Sequence, residues 1–301
     1  MFTNNTSLII PTRNRVQYIE NLLNQIKVLK LNFQEILVID SSDKRKAFLV
    51  KNICNNNFIK YFHTKPSTAY QRNFGLSKIK KNKYVMFLDD DIVFFKNAFS
   101  KMNKVIYNNK DNDNVVGFGF NLIEKKKLNF LDKIKKSFFF EKIFHLYSSK
   151  PGKILASGWH TPISNLKHDT VVEWIFSGAC VFKSLLIKNV KFDVSLGKYA
   201  YLEDLDFSLK ATKDKKKIIV PHLAKFLNPN FINRNNFKFG ITEIENRFKI
   251  VKKNNLNTKL FFISAFLRFS FSATKILKFE IDYFKRALGN LVGIFNCIFK
   301  N

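Results

Sequence analysis

The sequence predicts an α/β fold built on a mostly parallel, doubly wound central sheet that is flanked by helices. In the first third of the chain, short apolar segments typical of buried strands alternate with segments of helical spacing. Polar or acidic residues directly follow these apolar segments. Because right-handed crossovers bring the carboxyl ends of parallel strands to one edge of a sheet, we expect ligand-binding residues at that edge.

The predicted elements follow one another in a regular order. The predicted strands are residues 7–11, 35–40, 58–62, 84–88, 115–122 and 216–220, with a strand pair or strand-turn-strand within 171–182. The predicted helices are residues 16–31, 44–55, 68–79 and 97–108, and another begins near residue 203. Arg13, Asp40 and an acidic triplet all lie at predicted strand ends, which is the main physical argument for a site there.

The acidic triplet closes the apolar run of residues 84–88 with Asp89, Asp90 and Asp91. Alternation along an extended chain predicts that Asp89 and Asp91 share one face, whereas Asp90 points away and tolerates Asn. Two carboxylates on one face are hard oxygen ligands suited to Mg²⁺ or Mn²⁺. The alternative is a solvated acidic turn between two strands.

A second acidic cluster, with Glu203 and Asp204, stands at the start of the helix predicted after residue 203. Acidic residues at a helix start complement the helix dipole, which is the structural interpretation. Adjacent carboxylates can also raise one another's pKa, as suits a general base. The density of acids favours the catalytic interpretation.

The sequence lacks the motifs that characterise several common classes of protein. No GxGxxG motif follows the first strand and no GxxxxGK[ST] motif occurs, which argues against dehydrogenases and P-loop enzymes. The three cysteines are widely spaced, so neither a zinc site nor a disulfide framework is predicted, and a reducing cytoplasm fits best. We identify no signal peptide and no apolar run of spanning length, so we expect a cytoplasmic protein.

The formal net charge is +29, carried by 44 Lys and only 8 Arg. Such a charge attracts anionic lipid surfaces, nucleic acid and phosphorylated substrates, although many of the lysines are expected to form a solvated surface. A nucleic-acid-binding protein is therefore an alternative. It is not favoured, because the lysines are dispersed and no nucleic-acid-binding motif is present.

Six motifs, in the right order over roughly residues 7–222, resemble those of the family 2 glycosyltransferases with the GT-A fold. The matching segments are Pro11–Asn14, Val38–Ser42, Arg72–Gly75, Phe87–Asp91, Ser177–Ala179, and Phe192–Asp193 with Glu203–Asp206. The resemblance implies a GT-A (Rossmann-like) domain in which a nucleotide-diphosphate sugar, with a UDP-sugar favoured, lies across the strand ends.

The resemblance also implies a role for each matching residue. Asp204, with Glu203 beside it, would be the general base, and a single base implies an inverting reaction. Asp91, Asp89 and His222 would hold Mg²⁺ or Mn²⁺, although a structural role for His222 is the alternative. The residues implied in donor binding are Pro11, Thr12, Arg13, Asn14, Asp40, Ser42, Arg72 and Asp89. Arg72 would approach the diphosphate or pair with an acid.

These inferences predict a metal-dependent, inverting glycosyltransferase that acts on a glycan or lipid-linked acceptor in cell-surface polysaccharide synthesis. A catalytically inactive module of the same fold is a further alternative. The predicted catalytic domain is residues 1–225, with a nucleotide-sugar half at about 1–95 and an acceptor half at about 96–225. Residues 226–301 are predicted to be a helical C-terminal extension.

Two basic amphipathic segments, residues 260–273 and 284–299, are predicted in that extension. They suit peripheral attachment to an anionic membrane at the inner face of the cell membrane, where a lipid-linked acceptor would be found. A helical hairpin packed on the domain and a dimer face are the alternatives. Residues 124–147 form another Lys- and Phe-rich stripe, for which we favour core packing over a membrane or acceptor contact.

Overall fold

The computed structural model describes residues 1–124, 148–229, 236–273 and 281–299. Apart from Glu124, the stripe predicted at residues 124–147 lies outside the described residues. The chain forms two compact units, the first comprising Met1–Glu124 with Ile163–Asn230 and the second Lys125–Pro162 with Phe231–Asn301. The domain boundary predicted at residue 225 stays a prediction.

The strands that the structure describes all belong to the first unit. Those in the described residues are β1 (Thr6–Thr12), β2 (Glu35–Asp40), β3 (Lys60–His63), β4 (Tyr84–Leu88), β5 (Val93–Phe94), β6 (Val115–Gly119), β7 (Asn121–Leu122), β8 (Thr170–Val172), β9 (Ala179–Lys183), β10 (Lys217–Val220) and β11 (Lys225–Leu227). The main sheet has the order β3-β2-β1-β4-β9-β6-β10-β8, and β5-β11-β7 form a smaller sheet.

The main sheet is mostly parallel, as the sequence predicts. Strands β1 to β4 run parallel to one another, and β6 and β10 run in the same direction, whereas β8 and β9 are antiparallel to their neighbours. Every residue of β1 and β4 is buried, as expected of strands covered on both faces. The carboxyl ends of β1, β2 and β4 therefore lie along one edge of the sheet.

The helices cover the sheet in the first unit and make up most of the described second unit. The helices in the described parts of the chain are α1 (Val16–Val28), α2 (Lys44–Asn56), α3 (Thr68–Lys78), α4 (Ala98–Asn108), α5 (Glu203–Ala211), α6 (Phe237–Lys253), α7 (Thr258–Ala273) and α8 (Ile281–Phe299). In α1 the buried residues are Ile19, Leu22, Leu23 and Ile26, which is the spacing of one helix face.

The prediction of a strand pair within residues 171–182 is wrong, because the two strands there do not pair with each other. Strand β8 lies at the edge of the sheet against β10, whereas β9 lies between β4 and β6. The reason is the connection between them, in which Trp174 and Ile175 are buried and the Ile175 N–H donates to the Ser208 hydroxyl. An apolar connection of this kind carries the chain across the sheet, which a tight hairpin turn would not do.

In the second unit, α6 and α8 pack closely because glycines face the contact. A methyl group on Gly240 would lie 2.2 Å from the Arg286 carbonyl oxygen, and one on Gly289 would lie 2.0 Å from the Phe237 carbonyl oxygen. Only glycine permits so close an approach of two backbones. In the parts of the chain that the structure describes, no helix has the length and apolar character needed to cross a membrane.

Candidate active site

The acidic triplet follows β4 in a turn rather than in an extended segment. Asp90 and Asp91 both accept hydrogen bonds from Nη1 of Arg15, at 2.7 Å and 2.9 Å respectively. Asp90 also accepts one from the Thr12 hydroxyl at 2.6 Å, and only 4% of Asp90 is exposed. The prediction that Asp90 points away is therefore wrong, because the chain turns directly after Leu88 and the alternation of an extended strand stops there.

Asp89 lies apart from this pair and has a different partner. Its carboxylate accepts a hydrogen bond from Nη2 of Arg72 at 2.7 Å, and Nη1 of the same guanidinium pairs with Glu203. Arg72 is 2% exposed, and its guanidinium stacks over the Phe192 ring at 5.4 Å. The two predicted acidic clusters are thus joined through one buried cation.

Gly178 provides the space for the Asp89 carboxylate. A Cβ atom at Gly178 would lie 2.4 Å from Asp89 Oδ2. The Gly178 carbonyl oxygen in turn accepts the Asp89 N–H at 2.9 Å. The Ser177–Ala179 segment was identified in the sequence only as a matching motif. In the structure its Gly178 sets the position of Asp89, the first acidic residue after β4.

Burial shifts the acidity of several of these carboxyls. It raises the pKa of Asp90 to about 6, against the hydrogen bond from Thr12 and the charge of Arg15. Burial raises the pKa of Asp91, and the negative charge of Asp89 raises it further. Burial raises the pKa of Glu203 to about 8, against the charge of Arg72. The negative charges around it also favour the protonated form of Glu203.

The segment before α5 holds an unusual backbone conformation. Ala200 and Leu202 are both buried and have φ angles of 47° and 73°, in the left-handed region that side chains disfavour. Glu203 and Asp204 follow at once in the first turn of the helix. The Glu203 Oε2 atom is buried without a hydrogen-bond partner, and Asp204 Oδ1 accepts the Leu205 N–H at 2.8 Å.

The loop after β1 is tied to the end of β2. Pro11 and Thr12 are buried in the strand, whereas the Arg13 side chain is exposed. Asn14 has a φ of 58°, and its N–H donates to the Ser42 hydroxyl at 2.7 Å. The Asn14 amide also exchanges two hydrogen bonds with Asp43, each 3.0 Å long. The loop is therefore preorganised at the sheet edge.

Asp40 is fully buried at the end of β2. Its carboxylate accepts hydrogen bonds from the N–H and hydroxyl of Ser42 and, at 2.9 Å, from the Tyr61 hydroxyl. The role of Asp40 in donor binding stays a prediction, and it requires one of these internal hydrogen bonds to be shared or exchanged.

Sequence reasoning missed two residues that organise this edge. Arg15 was not singled out, although a basic residue close to a strand end was a usable signal. The Gln71 amide donates to the carbonyl oxygens of Thr12 and Ile39, at 2.9 Å and 2.6 Å, and so links β1 to β2. Nothing in the local pattern around Gln71 could have indicated these contacts.

His222 lies after β10 and contacts a different acid. Its Nδ1 is 2.7 Å from Asp169 Oδ1, and its N–H donates to the same oxygen at 3.0 Å. Strands β9 and β6 separate β10 from β4 in the sheet. Among the described residues, no group of three or more His, Cys, Asp or Glu side chains is placed to hold a metal ion. The assignment of His222 as a ligand stays a prediction.

A cavity of about 600 Å³ opens beside the turn after β4. Asp90 and Asp91 form one part of its wall, and α1 contributes Tyr18 and Gln25. The Gln25 amide group bridges the Ile92 carbonyl oxygen and the Phe94 N–H, which fixes the chain after the turn. Hydrogen bonds therefore fix the chain after the turn, and the turn itself borders the cavity.

Comparison with known proteins places the chain in a family. The sequence model described as glycosyl transferase family 2 matches residues 7–158. An uncharacterised glycosyltransferase of Rickettsia bellii is 37% identical over 108 residues, which are 34% of this chain and 15% of that protein. This chain therefore corresponds to a small part of the length of the relative.

Solved structures with a similar fold cover nearly the whole chain. Residues 1–349 of S. aureus TarS have a TM-score of 0.56 at 17% identity, over 98% of this chain and 81% of that one. The mannosyltransferase PcManGT from Pyrobaculum calidifontis, solved with GDP-Man and Mn2+, has a TM-score of 0.57 at 13% identity, over 99% and 88%. At these identities the likeness concerns the fold.

Proposed function

The chain belongs to glycosyl transferase family 2, and on that premise we propose that it transfers a sugar from a nucleotide-diphosphate donor to an acceptor hydroxyl. The observation that supports this most directly is the buried Arg72, which joins Asp89 after β4 to Glu203 at the start of α5. One cation thereby ties the predicted donor side to the predicted acceptor side. TarS has been solved with UDP and with UDP-GlcNAc, which favours a nucleotide sugar here too.

The donor would lie along the sheet edge. In this proposal Pro11 to Asn14, with Ser42, form the wall of the nucleoside pocket, because hydrogen bonds already fix this loop against β2. Arg13 is exposed there and can reach a phosphate without breaking an internal contact. Arg72 is occupied by two carboxylates, so it acts on the donor through Asp89 rather than by direct contact.

Asp89 and Asp91 fit a divalent cation by the chemistry of their oxygens. Both carboxylates belong to the acidic triplet after β4, and the negative charge of Asp89 raises the pKa of Asp91. Mg²⁺ or Mn²⁺, when bound, would neutralise the charge on the leaving nucleoside diphosphate. PcManGT and GalNAc-T7 were solved with Mn2+, which supports this assignment.

Asp204 is the residue that we propose as the general base. Glu203 is buried and paired with Arg72, whereas Asp204 is half-buried in the same helical turn. Glu203 therefore supports the site, and Asp204 takes the proton from the acceptor hydroxyl. A single base that assists direct attack on the anomeric carbon gives inversion of configuration.

The acceptor that we propose is a glycan or lipid-linked glycan of the cell surface, approached at an anionic membrane. Along α8 the partly exposed apolar residues Leu288, Val292, Phe295 and Phe299 follow helical spacing in one stripe, and Lys285 continues it. The net charge of +29 suits the same surface. We place the protein in the cytoplasm, peripheral to the membrane.

Thermal unfolding in the presence of UDP-, GDP-, CMP- and dTDP-sugars, each with Mn²⁺ or with EDTA, tests the proposed donor class. We expect one nucleotide family to raise the melting temperature when Mn²⁺ is present. Stabilisation by RNA alone, with a steep salt dependence, would instead favour a nucleic-acid-binding protein. Binding of a sugar nucleotide without any turnover would favour an inactive module.

A further inference from the structure

Arg15 forms ion pairs with both of the carboxylates that line the cavity, Asp90 and Asp91. A single nitrogen, Nη1, lies 2.7 Å from Asp90 Oδ1 and 2.9 Å from Asp91 Oδ2. The carboxylate side chains are only 3% and 7% exposed, whereas that of Arg15 is 31% exposed. The partly exposed guanidinium of Arg15 therefore contacts the two buried carboxylates from the solvent side.

The two carboxylates differ in how firmly they are held. Asp90 also accepts the Thr12 hydroxyl at 2.6 Å, so it keeps a side-chain donor if Arg15 moves. Asp91 has the longer of the two contacts with Arg15 and no other side-chain hydrogen bond among the described residues. Arg15 itself stacks on the Tyr18 ring at 5.0 Å, which anchors its stem independently of the acids.

We propose that Arg15 is a built-in counter-ion of Asp91 that competes with a divalent cation for this carboxylate. This rests on the proposed function, in which Asp91 is a metal ligand. Because a guanidinium already neutralises part of the charge of the turn, the free protein binds a divalent cation weakly. Arg15 remains on Asp90 and Tyr18 when it leaves Asp91, so the exchange needs only a small movement.

Direct measurement of Mn²⁺ binding by electron paramagnetic resonance tests this proposal on the full chain, without donor or acceptor. We expect Arg15→Gln to bind Mn²⁺ about tenfold more tightly than the unmodified protein, because the buried carboxylate loses its competing cation. Arg45→Gln removes the same charge from an exposed position on α2 and should leave the affinity unchanged. Asp91→Asn should abolish the tight binding in the Arg15→Gln background.

Circular dichroism establishes that each variant is folded, and Arg15→Met provides a second neutral variant that keeps an aliphatic stem over Tyr18. Equal or weaker Mn²⁺ binding by a folded Arg15 variant would overturn the role of Arg15 while leaving the proposed function intact. If no form of the protein bound Mn²⁺, even with UDP added, the proposed metal site itself would fail, and the inference with it.

Discussion

Arg72 donates a buried hydrogen bond to Glu203 and thereby connects helix α3 with the start of helix α5. The same guanidinium holds Asp89 at 2.7 Å through its other terminal nitrogen. Residues 131 positions apart in sequence are therefore fixed together by one planar group. A guanidinium can bridge two carboxylates in this way, whereas an ammonium is a single point charge.

Arg72→Lys should lower kcat by about a hundredfold, because loss of the guanidinium bridge displaces Asp89 and Glu203 from their positions around the reacting atoms. KM for the donor should change much less, since Arg72 acts through Asp89. Steady-state kinetics on the donor identified by thermal unfolding would measure both constants.

Arg45→Lys is the matched control for this change, since Arg45 is exposed on α2. It should leave both constants unaltered. A folded Arg72→Lys protein with normal kcat would show that the bridge has no part in catalysis.

Gly178→Ala should reduce activity without removing any functional group of the site. The added methyl group would lie 2.4 Å from Asp89 Oδ2, so the carboxylate has to move. We expect a fall in kcat of about tenfold to a hundredfold. Kinetics together with the melting temperature would separate displacement of Asp89 from loss of folding, and full activity in a stable variant would count against the assigned role of Asp89.

Glu203 should make stability depend on pH in a defined direction. Burial raises its pKa from 4.5 to about 8, so the folded protein holds a proton that the unfolded chain has released between these values. Its contribution to stability is present below about pH 4.5 and is lost as the pH rises through about 8.

Glu203→Gln should therefore flatten the decline in free energy of unfolding between about pH 5 and 8, because Gln mimics the protonated acid. Chemical denaturation at several pH values measures this slope. Glu20→Gln, at an exposed position on α1, serves as the control. An unchanged slope in Glu203→Gln would mean that Glu203 is ionised in the folded protein.

The stripe on α8 should carry membrane binding. Phe295→Ser combined with Phe299→Ser should weaken binding to vesicles containing anionic phospholipid by at least about tenfold, since each buried Phe contributes on the order of 1.5 kcal/mol or more. Vesicle flotation at low salt measures the effect.

Phe48→Ser combined with Phe58→Ser is the matched control, because both side chains are exposed in the first unit. Equal flotation of the two double variants would show that α8 is not the attachment surface. Absence of flotation by the unmodified protein would contradict membrane attachment altogether.

The sequence predicts the parallel half of the sheet well, because β1, β2 and β4 are apolar runs that end in polar residues. It could not predict that β9 inserts antiparallel between β4 and β6, since a central strand has the same apolar pattern in either direction. The position of β9 depends on the long-range fit of the connection around Trp174 and Ile175.

The acidic residues of the site could likewise be identified from sequence, but their partners could not. Local alternation placed Asp90 away from Asp91, whereas the turn brings both to Arg15. The bridge from Arg72 to Glu203 depends on the tertiary fold bringing α3 and the start of α5 together, which no local pattern encodes. Charged pairs between distant segments are set by tertiary structure.

The turn after β4 and the start of α5 form one transfer site in our proposal, and release of nucleoside diphosphate tests this directly. The substrate for this measurement is the sugar nucleotide that stabilises the protein best. We expect release by the unmodified protein with Mn²⁺, none with EDTA, and none by the Asp91→Ala variant. Unchanged turnover by a folded Asp91→Ala protein would contradict it.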